Sequence, residues 1–193
     1  HSYFIQNVSI PDCPTIVTDL LLEGINGAPY DLWVAGGGQF GDCVRLIEPD
    51  ARFEAMKILN ISGGKTSDRI STATGSTQDG RYLHGILCAH ASKTRVLGYV
   101  SSLPRSSSSV ARGLAAFALG AWSVDPALRV VTGISGNFLD VVAERKATEI
   151  LIKEANADCI GSNQNDLTVH TTADSFGAYS VAFASDARYY TRE

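Results

Sequence analysis

The chain has 193 residues, 45% apolar and 19% charged, with a mean hydropathy of +0.04, enough for one or two core-forming domains. No stretch reaches the roughly 18 uncharged apolar residues of a membrane helix; the longest apolar region, 110–124, is broken by Arg112 and two glycines. Sixteen Lys plus Arg against 20 Asp plus Glu give a net charge of −4 and lack the basic excess of nucleic-acid binders, so no nucleic-acid partner is expected.

Residues 3–10 are β-branched and aromatic, stop at Pro11, and read as a strand. Ile16, Val17, Leu20 and Leu21 follow at helical spacing. A strand over 30–35 runs into Gly36, Gly37 and Gly38, after which Val44 and Ile47 indicate a short helix ended by Pro49. Strands follow at 55–60 and 69–73, then a helix over 78–91 whose core face is expected to be Tyr82, Leu83, Ile86, Leu87 and His90. After a polar break at 92–95 come strand 96–100, helix 110–123, strand 129–133, helix 140–155, strand 158–162, helix 167–176 and strand 179–183. Val110, Leu114, Phe117, Ala118 and Ala121 form a buried helical stripe. Repeated βα units of this length predict α/β architecture with parallel sheets, in two lobes meeting at the break. Ligands of such sheets bind beyond the C-terminal strand ends.

Cys13, Cys43, Cys88 and Cys159 lack metal-ligand or C-x-x-C spacing and read mostly as buried small hydrophobes. His1, His84, His90 and His170 have no metal spacing either, so no metal is expected. The chain opens with His1 and shows no signal-peptide pattern, and it reads as a piece of a longer precursor. Two glycosylation sequons, at Asn7 and Asn60, are short enough to be chance matches. The loop 36–41 matches G-x-G-x-x-G, but the next strand ends Ile58-Leu59-Asn60 without the acidic residue that holds a ribose, so no nucleotide cofactor is expected. The serines 106–109 read as capping residues in the first instance and as an anion cradle in the second. No nucleophile elbow or catalytic triad appears, so no enzyme is expected. What remains is a set of polar and aromatic residues on loops after strands: Phe40, Asp42, Asn60, Phe138, Asp140, Gln164, Asn165, Asp166 and Asp186. Singly these are ordinary cap and turn types; together they suit a flat heterocycle, with rings to stack on it and acceptors for its N–H and hydroxyl groups.

Several collinear stretches resemble one family. Residues 30–35 with Phe40-Gly41-Asp42 resemble its "YDLV…FGD", 48–53 its "YPDVKF", and 78–85 its "EEGSYLAG". Residues 97–100 resemble "VGFVGG", and 112–126 resemble "RGINAFALGAKSVNP". The sequence is similar to the Bmp (basic membrane protein, Med-like) substrate-binding proteins of purine nucleoside ABC transporters. The resemblance implies a type I periplasmic-binding fold, with an incomplete N-terminal lobe over 1–94 and a nearly complete second lobe over 95–193. It implies a purine nucleoside or nucleobase held in an inter-lobe cleft, hinge closure across 92–95, a membrane permease partner, and no catalysis. A ligand-sensing regulatory domain on the same fold is the alternative. By position, Phe138 falls at the family's stacking aromatic, with Asp140 two residues on. Asp186, Asn165 and Asn60 fall at polar ligand positions, and Phe40 lies on the first-lobe loop. Ser101-Ser102 replace the family's glycine pair, and Asn165 replaces an Asp. The family's opening βα unit and its closing return to the first lobe are missing. The implied location is periplasmic or extracellular, with any lipid anchor on a segment outside this chain.

Overall fold

The computed structural model describes residues 18, 19, 21, 30–36, 40–103 and 108–182. The expected first strand and the candidate Asp186 lie outside them, as do most of the first expected helix, the middle of the glycine loop and the side chain of Asp42. The chain divides into two compact units, His1–Gly75 and Ser76–Glu193.

Unit 1 holds a parallel sheet in the order β1-β2-β3: β1 Leu32–Ala35, β2 Lys57–Ile61 and β3 Ile70–Ala73. The short helix α1, Gly41–Ile47, and a 3-10 turn, Ala51–Phe53, join β1 to β2. Asp50 starts that turn by accepting the Arg52 N–H at 3.0 Å. Alternation along each strand decides the faces. Ala35, Ile58 and Ile70 point into a core with Val44, Ile47, Phe53 and Met56, against which Trp33 packs. Leu32 and Val34 point the other way and are 54% and 52% exposed.

Unit 2 holds a second parallel sheet in the order β5-β4-β6-β7: β4 Val96–Ser101, β5 Arg129–Ile134, β6 Cys159–Ser162 and β7 Tyr179–Val181. Its helices are α2 Thr77–Ala91, α3 Ser108–Val124, α4 Val141–Lys153 and α5 Thr168–Ser175. Every residue of β4 and β6 is buried, as expected of central strands covered on both faces. One core joins Leu97, Tyr99, Leu114, Phe117 and Ala121; the other joins Val100, Ala147, Leu151, Ile160 and Val169. The stripe predicted on α3 is buried throughout.

Two expectations change. The core face of α2 is not the row of large apolar residues: Leu83 and Leu87 are 58% and 59% exposed, while Arg81, Gly85 and Cys88 are buried. The cause is the closeness of α2 to α3. A Cβ at Gly85 would collide with the Phe117 carbonyl, and one at Gly120 with the Tyr82 carbonyl, so small residues take the contact. This packing goes with the place of α2 in unit 2, which begins at Ser76. Residues 92–95 form a tied turn within unit 2. The Asp158 carboxylate accepts from Ser92 Oγ at 2.6 Å and from the Lys93 and Thr94 N–H groups at 2.6 and 2.9 Å. Burial works to raise its pKa, but these donors together hold it below the usual range. Finally, the cysteines are not free thiols: Cys88 is bonded to Cys159, joining α2 to β6, and Cys43 is disulfide-bonded as well. Among the described residues, no helix is long and apolar enough to cross a membrane.

Candidate functional site

In unit 2 the register aligns the strand ends. Ser101 pairs with Ile134 and Val100 with Ser162, so the loops after β4, β5 and β6 leave the sheet together at its C-terminal edge. Short polar residues there tie the loops to one another. The Ser102 N–H donates to Asn163 Oδ1 at 2.9 Å, and Asn163 Nδ2 donates to Ser102 Oγ at 2.8 Å. The Ser135 N–H donates to the Ser101 carbonyl at 2.9 Å. Gln164, with its amide oriented to satisfy both ends, accepts from Ser135 Oγ at 2.6 Å and donates to the carbonyls of Asn137 and Phe138 at 3.0 and 3.3 Å. The Asn165 N–H donates to the Phe138 carbonyl at 2.9 Å. The serine pair that replaces the family's glycines thus begins this network.

The structure brings Phe138, Asp140 and Asn165 onto adjoining loops. Phe138 is half-buried, its backbone held from both sides, and the Asn165 side chain is exposed. The Asp140 side chain is the N-cap of α4, accepting the Ala143 N–H at 2.9 Å. Its own N–H donates to Glu144 Oε1 at 2.8 Å, a reciprocal cap. Asp166 likewise accepts the Thr168 N–H at 2.8 Å at the start of α5.

Glu144 and His170 are further buried polar residues of unit 2. Glu144 is fully buried, and burial, followed by the neighbouring Asp166 and Asp140 and opposed by the Asp140 N–H, pushes its carboxyl up to about 7. The signal was an acid four residues after an N-cap Asp. His170 is buried beside Ser180, its Nδ1 lying 3.1 Å from Ser180 Oγ. Burial holds its imidazole below the usual pKa, with Asp166 working against that.

In unit 1, Ala35 pairs with Asn60, so β1 and β2 end side by side. Asn60 is 2% exposed, and its Oδ1 has no hydrogen-bond partner among the described residues. A Cβ at Gly63 would lie 2.5 Å from Asn60 Cγ, so the turn closing over this amide requires glycine. The burial also leaves the Asn60 sequon no room for a glycan. Phe40 packs edge-on against Trp33, ring centroids 6.3 Å apart, and leans on the core. Among the described residues, no group of acids, histidines and cysteines could hold a metal.

Residues 19–193 match the family described as Bmp, ABC transporter substrate-binding protein PnrA-like. The chain belongs to the Bmp family. Over 147 residues it is 31% identical to a purine-binding protein of Brucella abortus, covering 76% of this chain and 41% of that protein. Over 167 residues it is 28% identical to a metabotropic glutamate receptor-like protein of Dictyostelium discoideum, covering 84% of this chain and 23% of that one. The Bmp chain therefore spans well under half the length of these relatives. Among solved structures, its fold is like that of a transcriptional activator of the comK gene from Bacillus halodurans (TM-score 0.67, 15% identity, 93% of this chain and 59% of that one). It is also like that of an ABC transporter solute-binding protein from Conexibacter woesei (TM-score 0.57, 14% identity, 92% and 57%). The parallel α/β architecture and these neighbours place the Bmp chain in the type I periplasmic-binding class.

Proposed function

We propose that this Bmp chain binds a purine nucleoside or nucleobase, without chemistry, as part of the solute-binding component of an ABC uptake system with a membrane permease as partner. The observation that carries the reading is the identity to the Brucella purine-binding protein, which extends over three quarters of the chain. The polar network described above supports it, because it fixes the loop bearing Phe138 against the loop bearing Asn165. Phe138 stacks on the base, Asn165 takes a polar edge, and Asp186 takes another on the strength of the family resemblance. Asn60 is retained as a polar ligand position for its unpartnered amide oxygen. Asp140 and Phe40 are dropped as direct contacts, their side chains being occupied by the cap and the core. A periplasmic or extracellular location is supported by the Cys88–Cys159 bond, since such bonds persist in oxidising compartments.

The test is isothermal titration with adenosine, guanosine, inosine and adenine, with ribose and NAD as controls. Saturable purine binding is expected, weakened about tenfold or more by Phe138→Ala on the scale of base–aromatic stacking. Silence from every purine in a folded sample would overturn the reading, and NAD binding would point to a nucleotide enzyme. A second reading, a ligand-sensing domain of a receptor, is favoured by the Dictyostelium relative, which the chain matches over 84% of its own length. A purine-dependent signal without purine uptake in cells carrying the full-length protein would select it.

A further inference from the structure

We propose that the outer face of α2 is the seam of a two-fold dimer of this chain, in which the helix packs antiparallel against its own copy. The apolar row that the sequence marks on this helix turns away from the core, because Arg81, Gly85 and Cys88 take the inner face. Leu83 and Leu87 are 58% and 59% exposed. A row of large apolar side chains left in water on one helix face calls for a partner. Behind that face α2 is fixed by its close approach to α3 and by the Cys88–Cys159 bond, so the surface is presented at little ordering cost.

The spacing decides the occupant. Asp79, Leu83, Ile86 and His90 step by four, three and four, the interval that keeps side chains on one line of a helix facing another helix. At 3.6 residues per turn this line runs along the side opposite Arg81 and Cys88. Its order is self-complementary. Turned end for end about a two-fold axis between Leu83 and Ile86, Leu83 of one copy meets Ile86 of the other, and Asp79 meets His90. Each layer then occurs twice, as an isologous interface requires. Asp79 stands in the first turn and His90 in the last, so antiparallel pairing sets an acid against an imidazole donor and the two macrodipoles head to tail. A parallel pairing would set Asp79 on Asp79.

Tyr82 and Leu87 flank the line, and Leu119 of α3 lies beyond Tyr82, next to the glycine under the Tyr82 carbonyl. With Leu83 these exposed side chains present an apolar surface on the order of 400 Å² per copy, within the range of patches that mark an interaction site. A standard interface takes about 800 Å² from each partner, so the area suits a reversible dimer and not an obligate one. Residues of α4 and α5 pack in the other core of the sheet, so pairing through α2 leaves their outer faces free.

Sedimentation equilibrium of the chain across the micromolar range tests the seam, with circular-dichroism melts to establish that each variant is folded. Wild type should dimerise reversibly with a Kd on the order of 10 μM, as a small interface does. Leu83→Glu puts a charge into both central layers and should raise Kd about tenfold or more. Val142→Glu, on the first turn of α4 and 78% exposed, should leave it unchanged. Asp79→Lys replaces the partner of His90 by a cation and should raise Kd about threefold, while Asp79→Lys combined with His90→Asp should recover it, a readout that unspecific apolar association would not give. A monomer at every concentration, a dimer indifferent to Leu83→Glu, or a charge swap that recovers nothing would each overturn the antiparallel seam. A dimer of this chain that is lost in the full-length protein would overturn it as well and assign the face to the remaining segments of that protein.

Discussion

The two units use the same parallel βα grammar and bury it differently. In unit 2 the central strands β4 and β6 are buried along their whole length between two cores. Among the described residues of unit 1, one core lies on one side of the sheet, and the opposite face shows Leu32, Val34, Ser71 and Ala73 exposed. A parallel sheet covered on both faces penalises unpaired polar groups along its central strands, whereas a half-covered one tolerates them on every second residue. Unit 2 thus has packing on both faces that holds its strand-end loops in fixed register, together with the disulfide between α2 and β6.

Three experiments sharpen or break this contrast. The largest effect is expected from the staple. Replacing Cys88 and Cys159 together by alanine opens a sequence separation of 71 residues and should cost about 4 kcal/mol of unit 2 stability by the loop-entropy relation. Urea titration reads it, and a loss under about 1 kcal/mol would show that packing alone holds α2 on β6. Next, Gly120→Ala forces a Cβ into the Tyr82 carbonyl and should cost about 3 kcal/mol. Gly36→Ala in unit 1 meets nothing within 4 Å and should stay within about 0.5 kcal/mol; equal costs would contradict the close approach of α2 and α3. The smallest effect concerns the sheet faces. Val100→Thr buries a hydroxyl between two cores and should cost about 1–3 kcal/mol, while Val34→Thr on the open face of β1 should cost about 0.5 kcal/mol or less. Matching losses in circular-dichroism melts would mean that both faces of β1 are covered.

The order of strands and helices was legible because buried parallel strands are continuous apolar runs, as in 96–100, and because α3 carries a regular stripe. What misled was the assumption that large apolar residues mark the inner face. On α2 the distance between helix axes is set by glycine, so Leu83 and Leu87 point outward. The disulfide was invisible because a helix cysteine and a strand cysteine 71 residues apart form no local pattern. The loops at the C-terminal strand ends could be read from the strand order, and the structure brings the one bearing Phe138 beside the one bearing Asn165. Asp140 showed the ordinary identity of a cap, the role the structure gives it. Glu144 stands four residues after the capping Asp140, a spacing that allows its hydrogen bond to the Asp140 N–H, but its burial depends on which loop folds over it.

The bond between Cys88 and Cys159 has a consequence for handling the molecule. The segment it encloses contains β4, α3, β5, α4 and the loop that carries Phe138. A protease that nicks the chain once anywhere in that segment leaves both pieces in one covalent body. Such a sample migrates as a single intact species until a reductant is added, so mass analysis after reduction is the check that distinguishes a whole ligand loop from a severed one.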